Sequence, residues 1–277
     1  MEQTLLYKTA QSQLNLLEDL HIYILNYNNQ GNPQIVFRLV CIVSGAKTLA
    51  RSDEKGQQLL LESLRQTDKE KYKEALAIGQ SKIHTHFHTH SGANITKQFL
   101  LRRDRSQVDS NNQNHYHSIL LHLRASQRNI ALINQDYHFF GDRLDFTHND
   151  ELAQYLGKRL GAEKTFFITE SGGLFSDFGK TSQTLITTVD RGFDTRTLDF
   201  KENSDGGTGG MSEKVKSARL LQKDGLDSVI TGLDQLARLY DHMYRNEGIT
   251  GTHFLSRRLT KEQNREYCFE RRRDLIH

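Results

Sequence analysis

Gly206-Gly207-Thr208-Gly209-Gly210-Met211-Ser212, running into Glu213 and Lys214, is the stretch on which the fold turns. Four glycines and two hydroxyl residues lead into Lys214–Lys223, whose apolar positions recur at helical spacing. Glycine lets the backbone approach a ligand closely, and a helix N-terminus carries unpaired N–H donors and the positive end of the helix dipole. A lysine on the first turn adds a formal charge to that end. The same composition also suits an ordinary surface loop over Asn203–Gly210. The run is not a Walker A loop, since GxxxxGK[ST] occurs nowhere, and it is not a GxGxxG turn after the first strand.

Outward from this run, strand-like and helix-like segments alternate. Strands are expected at Thr4–Tyr7, Gln34–Val43, Gln98–Leu101, Ile130–Asn134, Thr165–Thr169, Leu185–Thr188 and Ser228–Ile230. Helical spacing covers Leu14–Leu25, one or two helices within Glu54–Gln80, Asn112–Ala125, Glu151–Leu160, Lys214–Lys223 and Leu233–Tyr244, with turn chemistry at Gly31-Asn32-Pro33. Strands separated by helix-length segments imply parallel pairing with helices on both faces. The expected fold is therefore a three-layer α/β/α sandwich with a mainly parallel central sheet, in one domain over 1–277 without an evident linker.

Composition narrows the function classes. The 277 residues suffice for a substantial core, 36% are apolar and 26% charged, and 37 basic against 34 acidic residues give a net charge of +3. That balance offers no electrostatic case for a nucleic-acid or membrane-surface partner. The longest apolar stretch, Ile35–Val43, is broken by Arg38 and falls short of a bilayer span, and the N-terminus does not read as a signal peptide. Two cysteines, Cys41 and Cys268, build no disulfide framework. A soluble, cytoplasmic protein is expected.

Open parallel sheets bind ligands where strands end and helices begin. After Val43 comes Ser44-Gly45-Ala46-Lys47, either an anion-meeting helix start or an ordinary turn. After Asn134 come Gln135-Asp136, and Thr147-His148-Asn149-Asp150 precedes a helix; Asn149 or Asp150 would cap it, or the Asn/Asp cluster would hold an α-amino group. Separately, His84, His86, His88 and His90 alternate, and His115 and His117 form a second pair. On an extended strand the four would share one face and offer a Zn²⁺, Ni²⁺ or Cu²⁺ site; on a helix they would spread around it. Surface histidines are the favoured assignment, and no metal ligands are assigned.

Taken in order, VSGA (Val43–Ala46), AIGQ (Ala77–Gln80), QFLLRRD (Gln98–Asp104), ALINQD (Ala131–Asp136), HNDELA (His148–Ala153), FFITESGGLFS (Phe166–Ser176), GTGGMSEKVKSA (Gly207–Ala218), GLDSVITG (Gly225–Gly232) and GTHF (Gly251–Phe254) resemble the amino-acid kinase family, most closely its glutamate 5-kinase branch. The resemblance covers nearly the whole chain, and the chain stops soon after GTHF, which implies a kinase domain without the RNA-modification-type (PUA) C-terminal domain of some relatives. It implies ATP-dependent phosphorylation of the side-chain carboxylate of glutamate to an acyl phosphate, on the route to proline, with Mg²⁺ bridging the phosphates. The substrate-binding part would be about 1–160 and the nucleotide-binding part about 161–277. By the family pattern, Lys8 and Lys214 would be cationic clamps. Ser44, Gly45, Asp136 and Asn149 would hold the amino acid. Thr169, Glu170, Gly207, Thr208, Gly209, Gly210, Met211 and Lys214 would line the nucleotide site. A homo-oligomer is also implied.

The chain departs from that pattern at defined places. Lys8-Thr9-Ala10-Gln11-Ser12 stands where Lys-x-Gly-Ser is expected, Asn134-Gln135-Asp136 shortens the substrate motif, and Glu170 replaces an aspartate. His148 occupies the place of the acid that precedes Asn-Asp and organises the two lysines in the family, which leaves Asp150 as the nearest carboxylate to take that role. These departures keep open a divergent, non-catalytic or differently specific protein of the same fold that binds nucleotide or a small metabolite. A histidine-rich metal-binding protein on this scaffold is the third class.

Overall fold

A computed structural model describes residues 39–42, 49–51, 55, 57–90, 98–101, 130–135, 139–140, 143–198, 210–238 and 248–257. The chain divides into two compact units, Met1–Asn149 and Asp150–His277.

In the first unit three short strands, β1 (Leu39–Ile42), β2 (Gln98–Leu101) and β3 (Ile130–Gln135), form a parallel sheet in the order β1-β3-β2. The charge-rich stretch folds as two helices, α1 (Leu61–Thr67) and α2 (Lys69–His90). Asp68 separates them: its backbone is extended, and its carboxylate accepts a hydrogen bond from the Lys71 N–H at 3.0 Å, which caps the start of α2. Tyr72, Ala75, Leu76, Gln80 and Ile83 of α2 are buried, a 3–4-residue periodicity that lays one face of the helix inward. Tyr72, Ala75 and Leu76 pack with Leu61 and Ala50. Two further pairs of residues, β4 (Phe139–Phe140) and β5 (Arg143–Leu144), make a small antiparallel ladder.

The second unit opens with α3 (Asn149–Leu160, whose first residue closes the first unit), followed by β6 (Lys164–Ile168), β7 (Phe175–Ser176), β8 (Thr184–Leu185), β9 (Thr188–Val189), α4 (Met211–Lys223), β10 (Asp227–Thr231) and β11 (Gly251–Phe254). Its four-stranded sheet has the order β6-β10-β11-β9. β6 and β10 are parallel, with Asp227 opposite Lys164 and Thr231 opposite Ile168. β11 runs antiparallel to β10 and parallel to β9. Phe167, Ile230 and Phe254 of this sheet meet Val215, Ala218 and Leu221 of α4 in the core. Helix α3 comes down so closely that a Cβ on Gly157 would stand 2.8 Å from Thr165 Oγ1 and 3.2 Å from Leu221 Cδ2.

The α/β architecture with a mostly parallel sheet is the one expected, with three differences. The expected strand Leu185–Thr188 is two strands, because the chain changes partner there: Ile186 N–H donates to Leu174 O at 2.8 Å, whereas Thr187 O accepts from His253 N–H at 2.9 Å. The expected helix Leu233–Tyr244 is a 3₁₀ segment over Leu233–Arg238, with Gln235 N–H bonded to Gly232 O at 3.2 Å; residues 239–247 lie outside the described set. Helix α2 runs on to His90, past the expected end of the helical stretch at Gln80. The expected strand Thr4–Tyr7, the helices at Leu14–Leu25 and Asn112–Ala125, and the His115/His117 pair also fall outside the described residues. Among those residues, no helix is long and apolar enough to cross a membrane.

Candidate functional site

The carboxyl ends of the parallel pair β6 and β10 lie side by side, and the first turn of α4 carries a lysine with a carboxylate on it. Beyond β6 the pairing continues for one residue, Thr169 N–H donating to Thr231 O at 2.9 Å. Thr169-Glu170-Ser171-Gly172 then turns sharply. Gly172 has φ +74°, its N–H reaches Thr169 O at 3.3 Å, and Ser171 Oγ donates to Gly173 O at 3.0 Å. On the neighbouring strand end, Gly232 comes so near that a Cβ there would stand 3.4 Å from Gly172 Cα and collide with the Asp234 carboxylate. Two strand ends thus present main chain to one another with side chains kept out.

Helix α4 begins at Gly210, which supplies no side-chain cap; its carbonyl accepts from Lys214 N–H at 3.3 Å. The first N–H groups of any α-helix lie beyond the reach of its own carbonyls, which makes a helix start a place for an anion. Lys214 Nζ sits on that first turn and donates to both carboxylate oxygens of Asp150, at 3.0 and 3.1 Å. Both side chains are largely buried, at 15% and 12% exposure. A cation at a helix N-terminus is disfavoured by the dipole, and an anion there is favoured. Asp150, in the first turn of α3, suits its own helix and neutralises the lysine. The formal charges of Lys214 and Asp150 balance and Glu213 adds an acid to the same turn, so what the site offers an incoming anion is the helix N-terminus and a lysine already held in place.

The expected site residues divide accordingly. Thr169 and Glu170 stand at the end of β6, Gly210, Met211 and Lys214 at the start of α4, and Asn149 and Asp150 in the first turn of α3. Lys8, Ser44, Gly45, Asp136, Gly207, Thr208 and Gly209, together with Ala10 and Gln11, lie outside the described residues. His148 is half-buried just ahead of α3, and the carboxylate that reaches Lys214 is Asp150. Thr231 and Gly232 were not among the expected residues; the rule that ligands gather at strand ends would have found them had β10 been carried past Ile230. The histidine run His84–His90 lies on α2, where alternate residues are about 200° apart, so the four do not share a face. Among the described residues, no three His, Cys, Asp or Glu side chains form a group that could hold a metal ion. A glycine-capped helix start with Lys214 fits a phosphate chain, and Mg²⁺ held chiefly by phosphate oxygens would require no dedicated cage.

Comparison with known proteins gives the family and the fold. The family model described as "Amino acid kinase family" matches residues 15–232. The chain is 28% identical over 159 residues to the glutamate 5-kinase of Pseudomonas fluorescens (strain Pf0-1), covering 56% of this chain and 41% of that protein. It is 29% identical over 189 residues to the glutamate 5-kinase of Marinomonas sp. (strain MWYL1), covering 63% and 48%. The chain thus spans under half the length of the curated relatives it matches. In fold it is similar to carbamate kinase from Giardia lamblia bound to AMP-PNP, with a TM-score of 0.56 at 13% identity over 88% of this chain and 90% of that one.

Proposed function

The chain belongs to the amino acid kinase family, and from that premise we propose that it moves the terminal phosphoryl group of ATP onto the side-chain carboxylate of L-glutamate, the first step toward proline. The observation that carries this is the Lys214–Asp150 pair at the glycine-capped start of α4. A carboxylate acceptor is already ionised at neutral pH, so no general base is needed. One carboxylate oxygen bonds to the γ-phosphorus while the bond from that phosphorus to the bridging oxygen breaks, leaving ADP and an acyl phosphate. Catalysis reduces to holding two anions together and neutralising charge that spreads onto the transferring oxygens.

In this chain Lys214 and the first N–H groups of α4 would take up that charge, and Asp150 would hold the ammonium in place between turnovers. Thr169, Glu170, Gly210 and Met211, with Gly207, Thr208 and Gly209, would bind the nucleotide. Ser44, Gly45, Asp136 and Asn149 would hold the amino acid, and Lys8 would be the second clamp. Mg²⁺ would offset the charge of the phosphates. The substrate residues would sit in about 1–160 and the nucleotide residues in about 161–277 of one kinase domain. The same reading implies a cytoplasmic homo-oligomer.

His148 in the place of an acid, with Ala10 and Gln11 in the place of a glycine and serine, favours one other reading. In it, the protein is a divergent member that binds nucleotide or a small metabolite without transfer, or phosphorylates a different acceptor. Coupled ADP release with Mg²⁺-ATP, with and without L-glutamate and with hydroxylamine to trap acyl phosphate, separates them. Glutamate-dependent hydroxamate supports the kinase. ATP binding with background ADP release across an amino-acid panel rejects it in favour of the binding role.

A further inference from the structure

The far end of α4 carries a polar cluster that its apolar surroundings do not require. Gln222, only 2% exposed, follows Leu221 of the apolar core; a methionine would match its size but would leave the carbonyls it bonds without this donor. Both hydrogens of its amide are spent on main chain: Nε2 donates to Val189 O at 2.8 Å and to Leu255 O at 2.7 Å. Those carbonyls lie at the ends of β9 and β11, the two strands that run side by side in the same direction. Gln222 Oε1 accepts from Arg219 Nη1 at 2.6 Å, and the same nitrogen donates to Asp190 O at 2.8 Å. Arg219 Nη2 donates to Phe193 O, and the guanidinium carbon stands 6.0 Å from the centre of the Phe254 ring. Arg191 Nη2 closes the cluster on the Gln222 main-chain carbonyl at 3.0 Å.

Burial pulls the Arg219 guanidinium below its ordinary value, with Asp190 and Asp194 opposing. A cation and an amide are thus kept in an expensive place: two bonds go to carbonyls at the ends of β9 and β11, two to Asp190 O and Phe193 O in the connection after β9, and Arg191 adds a fifth on Gln222 O, while one more links the two side chains. Apolar packing alone would let α4 rotate or slide by a fraction of a turn. Five directional bonds do not. Since α4 is a stiff rod of 13 residues, about 20 Å long, fixing its last turns also fixes its first.

We propose that Arg219 and Gln222 are positioning residues that set the rotation and axial seat of α4, and thereby place Lys214 and the helix N-terminus for a phosphate chain. The proposal rests on the reading of Lys214 as the phosphate-binding cation. Neither residue touches that site; both act through the helix.

The test uses the whole chain and the variants Gln222→Met, Arg219→Met and Arg219→Lys, with thermal melts confirming that each is folded at the assay temperature. Arg219→Lys, which keeps the charge and one carbonyl bond, is the variant least expected to fail to fold. One arm reads position directly, through the side-chain ¹⁵N signal of Lys214, assigned by its loss in Lys214→Ala. The other reads ATP turnover and the binding of ADP. The expected result is a shifted Lys214 signal in both methionine variants and a partial shift in Arg219→Lys. It comes with a fall in kcat of about tenfold, since displacements of about 1 Å at a reacting centre are costly. A Lys214 signal unchanged in all three folded variants overturns the proposal, and leaves the cluster as ordinary structure. If the signal shifts but the unmodified protein neither turns over nor binds ADP, positioning stands and the kinase reading fails.

Discussion

The two ends of α4 are built on opposite rules. Its last turns are saturated: Gln222 spends both amide hydrogens, Arg219 reaches two carbonyls and a side-chain oxygen, and Arg191 covers the main chain. Its first turn has glycine at the cap and a lysine held by one carboxylate. A helix that only packed would treat both ends alike. The contrast shows where the protein has concentrated polar bonds for rigidity; under the proposed function the other end is where a phosphate chain would bind.

The sharpest way to break the contrast is Lys214→Ala. It removes the cation at the first turn and is expected to lower kcat by about 10³-fold, the scale of losing a charge-stabilising group. A loss under tenfold in the ADP-release assay would take Lys214 out of the chemistry. Asp150→Asn comes next. It leaves Lys214 mostly buried without its counter-charge, and urea unfolding should show a loss of about 3 kcal/mol. Unchanged stability would mean that solvent or another acid compensates the lysine. Gly157→Ala tests the seat of α3, which brings Asp150 to the site. A Cβ there must push Thr165 and Leu221 aside, at a cost of about 1–2 kcal/mol in the same unfolding experiment.

The smallest effect belongs to the connection after β9. Arg196 donates to both oxygens of Asp194 at 2.9 Å, and these hydrogen bonds hold the carboxyl below its ordinary 3.8, at about 2. Because the folded value is depressed, the pair's contribution is present above pH 3.8 and lost as pH falls through about 2. Arg196→Gln should return the Asp194 titration toward 3.8, read by carboxyl NMR, with scarcely any change in the melting temperature at neutral pH, as the pair is solvent-exposed.

How much of this the sequence discloses depends on whether a feature is local. The strand at Gln98–Leu101 and the helix ending at Leu160 follow from runs of apolar residues and their spacing, and the structure matches them. The run into Lys214 was legible for the same reason: glycines, a helix start and a lysine are neighbours in the chain. The partner of that lysine is 64 residues away, and only the family pattern pointed toward the stretch around Asp150. The break within Leu185–Thr188 was illegible, because Ile186 and Thr187 have equal strand propensity and differ only in which distant strand they meet. Arg219 and Gln222 read as a polar stripe on a helix. Nothing local signals that carbonyls from two strands will gather beneath them.

The reversal of β11 has a consequence for the order in which the second unit can assemble. β6, α4 and β10 lie within one stretch and can form as soon as Thr231 is made, whereas among the described residues β9 pairs only with β11, whose residues follow it by more than sixty positions. Until Gly251–Phe254 leave the ribosome, β9 waits as an unpaired edge, and Leu174, whose N–H donates to Thr252 Oγ1 at 2.7 Å, waits with it. β11 acts as a keystone: chains interrupted before Gly251 would carry every residue of α4 and still display a raw edge for aggregation or proteolysis.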